Sequence, residues 1–202
     1  MNLSILEQLS RSLLGGDFDH GFPHVERVLN WAKRISFHED LEVNWELLKT
    51  IVLLHDLGRM VGEPHAYYSG LIAEELLGEM EAPPSFKRRV VNAILFHSFS
   101  YRRREKVNPE STEALVVSDA DKLDALGVVG FLRVFLFSFK HGRSLEETLR
   151  HFEEKIFNLD SELFFNYSRT LAEELAARTK KLVGDLLSEL SSNSLGKSDK
   201  GY

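Results

Sequence analysis

Apolar residues recur every three or four positions along most of this chain, which is the spacing that places them on one side of an α-helix. In residues 22–38, for example, Val25, Val28, Ala32 and Ile35 fall on a single face. No sustained alternation of apolar and polar residues, the pattern typical of a half-buried strand, interrupts this spacing. The pattern therefore predicts an all-α protein that folds as a helical bundle.

Start and stop signals divide the chain into successive helices. The predicted helices cover residues 2–14, 22–38, 44–58, 65–80, 85–98, 112–126, 127–141, 144–157 and 161–190. The polar segment 99–111 is predicted to be a loop, and residues 191–202 a disordered tail. No linker is long enough to divide the core, so we expect one domain over residues 1–190.

The amino-acid composition limits which binding partners and which cellular compartment the protein can have. The 202 residues carry a formal net charge of −6, which argues against a general attraction to nucleic acid or anionic lipid. There are no cysteines, which excludes disulfides and thiolate metal sites and fits a reducing compartment. The longest apolar stretch, residues 127–142, contains Arg133 and is shorter than the roughly 20 residues of a membrane span. No signal segment opens the chain, so we expect a cytoplasmic protein without nucleic-acid or membrane partners.

Several positions on apolar helix faces carry metal-binding side chains instead. They are His24, the adjacent pair His55 and Asp56, His97, and an acidic cluster within residues 117–127. A single histidine of this kind is usually a hydrogen-bonded core residue. Burying several imidazoles and carboxylates costs several kcal/mol unless they are paired. Their convergence on one cation is therefore the economical explanation.

Three stretches in order, DFDHGFPHVERV, LLHDLGR and SDADKLDALG, resemble the HD-domain metal-dependent phosphohydrolase superfamily. The last stretch resembles a DADxLDAxG signature of its small stand-alone members, and the resemblance spans residues 17–135. It implies a helical bundle of the HD-domain type. It also implies that His24, His55, Asp56 and Asp121 bind one divalent metal ion.

The acidic cluster offers two candidate ligands. Asp119 and Asp121 lie two residues apart and project from nearly opposite sides of a helix, and apolar residues flank both sides, so periodicity does not decide between them. The family pattern favours Asp121. Asp119 and Asp124 then become supporting or capping groups, which metal-binding histidines commonly need. His20, four residues before His24, is a secondary candidate for the same supporting role.

A second ion is an alternative. His65 and His97 resemble positions at which some relatives add histidines and hold two metals, although the usual paired histidines are not clearly present around His97. We favour one ion, with His97 lining the substrate cavity as a proton carrier or phosphate contact. His65 begins its predicted helix, where it is either a site residue or simply exposed. The remaining histidines, His38, His141 and His151, are assigned to the surface.

Imidazole and carboxylate donors without thiolate suit Mn²⁺, Fe²⁺, Co²⁺, Ni²⁺ or Mg²⁺, and Zn²⁺ is compatible but not favoured. A phosphorylated substrate also needs cations. Arg59, close to the His–Asp pair, is the first choice, and Arg133 is another candidate. Lys122 either faces phosphate or points outward into solvent, the latter being favoured. The arginines at 102–104 are interpreted as part of a solvated loop, with a phosphate clamp as the alternative.

The resemblance implies metal-dependent hydrolysis of a nucleotide or a related small phosphoester or phosphoanhydride. Two alternatives stay open. One is a metal-bound, nucleotide-binding regulatory module without turnover, and the other is a di-iron enzyme of another reaction type. The Phe-rich segment 131–139 indicates either ordinary core, which we favour, or a homodimer surface.

Overall fold

The computed structural model describes residues 2–194, and within that range every regular element is a helix. The α-helices are α1 (Leu3–Leu14), α2 (Phe22–His38), α3 (Trp45–Leu54), α4 (His65–Glu79), α5 (Pro84–His97), α6 (Phe99–Glu105), α7 (Thr112–Asp124), α8 (Gly127–Lys140), α9 (Leu145–Glu154) and α10 (Asn166–Ser194). Two 3₁₀ helices, Leu57–Met60 and Ile156–Glu162, complete the chain. The predicted all-α fold is confirmed.

Helix α7 lies at the centre of the bundle. It packs against α2, α3 and α5, and α10 covers a further side. Its apolar residues are therefore buried on opposite faces, as Ala114 and Val116 show, since they lie two residues apart and are both fully buried. A helix surrounded in this way has no single apolar stripe, which is why the periodicity of the acidic cluster did not reveal its inward side.

The predicted third helix, residues 44–58, is correct at its start and wrong at its end. Asn44 caps α3 by accepting a hydrogen bond from the Leu47 amide at 3.1 Å. The helix stops at Leu54 and the chain enters the first 3₁₀ helix. Gly58 makes this turn possible, because a Cβ there would lie 2.2 Å from the His65 carbonyl oxygen. The break places His55 and Asp56 at a junction between helices.

The loop predicted over residues 99–111 is wrong for residues 99–105, because Phe99–Glu105 forms α6. Its polar sequence carries no apolar face, and long-range contacts hold it in place. The Arg102 guanidinium pairs with Glu162 at 3.1 Å and lies 5.2 Å from the centre of the Phe164 ring. The solvated interpretation of the 102–104 run therefore fails for Arg102, whose side chain is 10% exposed.

Differences in the last third of the chain concern where helices begin and end. The predicted helix 144–157 ends at Glu154, and the predicted helix 161–190 starts only at Asn166 because the second 3₁₀ helix intervenes. Helix α10 continues to Ser194, so residues 191–194 of the predicted tail are helical. Residues 195–202 of that tail lie outside the described part of the chain.

The Phe-rich segment of α8 divides between core and surface. Phe131 and Phe135 pack against Phe152, with ring centres 5.7 and 5.8 Å apart, whereas Phe139 is 85% exposed. Core packing thus accounts for part of the segment, and the homodimer surface stays a prediction.

Over residues 2–194, no helix has the length and apolar character needed to cross a lipid bilayer.

Candidate metal centre

The candidate ligands come from helix ends that meet at one point of the bundle. His24 lies in the first turn of α2, and His55 and Asp56 follow the last turn of α3. His97 is the last residue of α5, and Asp121 lies in the last turn of α7. Helix ends suit this purpose because neighbouring side chains can depart from regular helical directions there.

The structure brings the four predicted metal ligands together. The Nε2 atom of His24 lies 3.3 Å from Nε2 of His55 and 3.4 Å from Oδ1 of Asp121. Oδ2 of Asp56 lies 3.7 Å from the same His24 atom and 3.9 Å from Nε2 of His55. The two imidazoles and Asp56 are at most 1% exposed, whereas the Asp121 side chain is 27% exposed and opens towards a cavity.

The hydrogen bonds of the histidines fix which ring nitrogens face this point. His24 donates from Nδ1 to Asp124 at 2.7 Å, and His55 donates from Nδ1 to the Val52 carbonyl at 2.8 Å. His97 similarly donates from Nδ1 to the Ile94 carbonyl. In each neutral ring the Nε2 atom is then the acceptor, so unprotonated nitrogens face one another.

A cation fits these residues. Two imidazole lone pairs at 3.3 Å repel each other unless a positive charge or a proton lies between them. In addition, Oδ1 of Asp56 is buried and has no hydrogen-bond partner among the described residues. An unsatisfied buried carboxylate oxygen is costly, and coordination of a metal is one arrangement that satisfies it. Imidazole and carboxylate groups are donors that hold a divalent ion.

Asp56 faces two groups of histidines through its two oxygens. Oδ2 faces His24 and His55, while Oδ1 lies 3.6 Å from Nε2 of His65 and 3.9 Å from Nε2 of His97. The His65 side chain is only 13% exposed, so the structure excludes the surface alternative for this residue. A second set of donors therefore lies beside the first.

Arg59 lies within the centre. Its Nε donates to Oδ2 of Asp56 at 2.6 Å, and its Nη2 lies 3.5 Å from Nε2 of His65. Burial acts to raise the pKa of Asp56, but the charges of Arg59 and the surrounding imidazoles outweigh it and hold that pKa well below its usual value. Burial also acts to raise the pKa of Asp121, but the hydrogen bond with His24 is the main effect that outweighs it. The pKa of Asp121 is therefore also well below its usual value. Both carboxylates are therefore ionised at neutral pH.

Asp124 supports His24 from behind. Besides the bond to His24, it accepts hydrogen bonds from Arg27 at 2.7 Å and from Arg133 at 2.8 Å. Arg133 also donates to the Asp19 carbonyl at 2.7 Å, so its guanidinium is largely engaged within the protein although it lines the cavity. Sequence reasoning missed Arg27, which lies three residues after His24 and hence on the same side of α2.

Asp119 lies apart from the histidines. Its carboxylate accepts hydrogen bonds from the amides of Phe164 and Phe165, just before α10, at 3.0–3.1 Å. Burial raises its pKa. Asp119 therefore holds the segment that leads into α10, and Asp121 is the residue that faces His24.

Lys122 is 4% exposed, so the favoured interpretation of an outward, solvated lysine is wrong. Its Nζ donates to the carbonyl of Ser118 at 3.0 Å and to the Ser118 hydroxyl at 2.7 Å, and the side chain lines the cavity. Burial, together with the nearby charge of Arg102, lowers the pKa of Lys122 to about 8. Two of its three donors are used, which leaves one for a ligand.

His20 also lines the cavity, beside the ligand group. Its Nδ1 lies 3.3 Å from Oδ2 of Asp19, and its ring meets the edges of the His24 and Phe137 rings. Burial lowers the pKa of His20 to about 4. Asp19, which sequence reasoning missed, is itself held by Lys140 at 2.5 Å.

The cavity above the centre has a volume of about 500 Å³, which suits a small organic ligand. Its walls include seven of the predicted site residues, namely His20, Arg59, His65, His97, Asp121, Lys122 and Arg133. Sequence reasoning missed Arg143 and Lys155 and assigned His151 to the surface, although all three line the cavity. Their positions in the sequence give no signal, since charged residues in and beside an exposed helix are usually just solvated.

The chain belongs to the HD domain family, whose model matches residues 21–126. That range runs from the start of α2 to the end of α7 and contains all the imidazole and carboxylate groups of the two donor sets. The resemblance seen in the sequence is therefore confirmed.

Several known proteins are similar to this chain in sequence or in fold. The uncharacterised protein YpgQ of Bacillus subtilis is 30% identical over 159 residues, which is 77% of each chain. Its crystal structure in complex with ADP is similar with a TM-score of 0.72, covering 93% of this chain and 94% of that one at 25% identity. A Lactobacillus plantarum protein gives a TM-score of 0.78 at 25% identity, covering 94% of this chain and 97% of its own. An HD-superfamily hydrolase from Bacillus thuringiensis, 22% identical with a TM-score of 0.66 and covering 94% and 96%, shares the fold.

Proposed function

We propose that this protein is a divalent-metal-dependent phosphohydrolase that acts on a nucleotide or a related small phosphoester or phosphoanhydride. The observation that carries the proposal is the buried Asp56 carboxylate, whose oxygens face imidazole Nε2 atoms at the floor of a cation-lined cavity. The ADP complex of YpgQ supports a nucleotide as the ligand class.

In the proposed reaction, His24, His55, Asp56 and Asp121 hold the ion. A bound divalent ion supplies Lewis acidity to a phosphoryl group and lowers the pKa of water. Asp124 keeps His24 in the tautomer that leaves Nε2 unprotonated. Manganese, iron, cobalt, nickel and magnesium all suit the donor set.

The cations of the cavity bind and orient the phosphate. Lys122 offers its remaining N–H, and Arg59 offers the Nη groups that its Asp56 contact does not use. His97 donates from Nδ1 to a backbone carbonyl, so its Nε2 atom is available to accept a proton from water or to contact the phosphate. Burial lowers the pKa of His97 to about 3, which keeps this nitrogen unprotonated at neutral pH.

The proposal assigns one ion to the first donor set. Oδ1 of Asp56, together with His65 and His97, is where a second ion would bind if the protein holds two. Metal analysis of the purified protein distinguishes the two stoichiometries. One ion per chain supports the assignment, and two ions per chain replace it with a binuclear centre.

The first test removes the metal. We expect dialysis against a chelator to abolish hydrolysis across a nucleotide panel, and added Mn²⁺, Co²⁺ or Mg²⁺ to restore it, as measured by release of phosphate or pyrophosphate. Undiminished turnover after metal removal would falsify the proposal. Binding of nucleotides without any product would identify a regulatory module instead, and a two-iron optical spectrum would indicate a different reaction.

The second test removes one ligand. We expect Asp56→Ala to lose metal content and hydrolysis together, because the variant deletes the carboxylate that contacts both groups of histidines. Metal content is measured by mass spectrometry and folding by circular dichroism. If activity disappears while metal content stays unchanged, Asp56 has another role.

A further inference from the structure

A second group of basic residues lines the same cavity as the candidate metal centre. Arg143 lies in the turn after α8, His151 lies within α9, and Lys155 follows α9 directly. All three are outside residues 21–126, the range matched by the HD domain. They therefore belong to a part of the cavity wall that lies outside the matched range.

In the part of the chain that the structure describes, no carboxylate forms an ion pair with Arg143 or Lys155, whereas Arg150 of α9 pairs with Glu146 at 3.8 Å. The charge of Asp121 acts on Lys155 and opposes the lowering of its pKa by burial. The Arg143 guanidinium lies 5.0 Å from the centre of the Phe137 ring, which also lines the cavity. Unpaired positive charge thus faces the cavity in a protein whose formal net charge is −6.

His151 lines the same cavity as these two cations. Burial, followed by the charges of Lys155 and Arg143, lowers the pKa of His151 to about 4. The ring is therefore neutral at physiological pH and offers a single N–H donor. Two cations and one neutral donor on the same wall form a site for a multiply charged oxyanion.

We propose that Arg143, His151 and Lys155 bind a second phosphoryl group of the substrate, one that does not react at the metal centre. The cavity then selects nucleotides with two or more phosphates over nucleoside monophosphates. The inference rests on the proposed function for the identity of the reacting group. Arg59 and Lys122 are the proposed contacts of the phosphoryl group at the metal centre. Arg143, His151 and Lys155 are then available to bind the second phosphoryl group.

Binding measurements on the metal-loaded full chain test this selection without requiring turnover. The probes are α,β-methylene-ADP, whose phosphate bridge resists hydrolysis, and AMP, with chromatography confirming that both stay intact during calorimetry. We expect the wild-type protein to bind the diphosphate about tenfold more tightly than AMP. In the double variant Arg143→Gln, Lys155→Gln, we expect the diphosphate affinity to fall about tenfold while AMP affinity is nearly unchanged, since both residues contact only the second phosphate.

Arg150→Gln is the matched control, because Arg150 carries the same charge on α9 but is not part of the cavity wall. We expect it to keep the wild-type preference. An equal loss of affinity for both ligands in the double variant, or an unchanged diphosphate affinity, overturns the inference. If hydrolysis depends on metal but either of these results is obtained, the proposed function stands and the second-phosphate site is rejected. If the protein prefers the diphosphate but hydrolyses no nucleotide, the second-phosphate site stands and the proposed function is rejected.

Discussion

Asp124 shows how a single carboxylate can determine the geometry of the candidate centre without facing the proposed ion. It lies behind His24 and accepts from two arginines, Arg27 and Arg133, as well as from the imidazole. Burial raises its pKa, but the hydrogen bond with His24 and the nearby positive charges outweigh burial, so the pKa lies below its usual value. The charged form therefore holds the imidazole in one tautomer and one orientation.

The variant Asp124→Asn preserves the shape of this side chain and removes its charge. We expect affinity for the divalent ion to fall about tenfold to a hundredfold, because His24 is no longer fixed by an ionised acceptor. Metal titration monitored by calorimetry provides the measurement. Asp185→Asn, at an exposed ion pair on α10, is the control, and equal affinities in the two variants would show that Asp124 does not orient His24.

At the level of elements, the junction between α3 and α4 positions His55 and Asp56. The chain passes so close to α4 at Gly58 that a Cβ atom would lie 2.4 Å from the Ser69 amide nitrogen. The Gly58 amide also donates to the Ser69 hydroxyl at 2.8 Å. The position of the Asp56 carboxylate thus depends on a glycine two residues later.

We expect Gly58→Ala to lower the free energy of unfolding by about 2–3 kcal/mol and to reduce metal content, since the methyl group forces the junction away from α4. Gly184→Ala in α10 is the matched control, because the added methyl group meets nothing within 4 Å beyond the adjoining backbone of its own helix. That control should stabilise the protein by about 1 kcal/mol or less, through higher helix propensity. Urea denaturation measures both, and similar stabilities would contradict the close approach.

Helix α6 depends on one arginine in a comparable way. Arg102 donates to the Ser118 hydroxyl at 3.1 Å and to Glu162 at 3.1 Å, so it joins α6 to α7 and to the second 3₁₀ helix. We expect Arg102→Gln to destabilise the protein by about 1–3 kcal/mol, because partly buried partners lose charge-assisted bonds. Arg104→Gln should change stability by less than about 0.5 kcal/mol, because the exposed Arg104 side chain pairs only with its neighbour Glu105 among the carboxylates of residues 2–194. Equal denaturation midpoints for the Arg102→Gln and Arg104→Gln variants would show that Arg102 does not stabilise the packing of α6.

The same elements show what sequence can and cannot predict. His55 and His97 were recognisable because each completes an apolar helix face, and Asp121 was chosen through a family motif. Helix α6 could not be predicted, since its sequence has no apolar periodicity and contacts with Phe164 and Glu162 stabilise it. Lys122 was misjudged for a related reason, because a helix buried on all sides gives a lysine no outward face.

At the scale of the whole molecule, acid should destabilise the metal-free protein. His20 and His151 have pKa values lowered to about 4, mainly by burial, whereas histidine in an unfolded chain has a pKa of about 6.5. Between these values the unfolded state binds more protons than the folded state, so folded stability falls as pH decreases from about 6.5 to about 4.

Urea denaturation of the chelator-treated protein at several pH values within this window measures the effect. We expect His151→Gln to show a shallower decline than the wild-type chain, because it removes one of the titrating groups. Identical pH slopes for the two proteins would show that His151 titrates alike in the folded and unfolded states.

The cavity wall is assembled from two successive stretches of chain, one ending at Ala125 and the other beginning at Gly130. The first stretch contains the histidines and acids of the proposed centre, and the second contributes Arg143 and Lys155. Mutations in the later stretch that spare Arg133, whose guanidinium holds Asp124, can therefore accumulate without disturbing the reactive groups. Exchange of that stretch between homologues would be a direct way to transfer ligand preference, and divergence within the family can proceed by the same route.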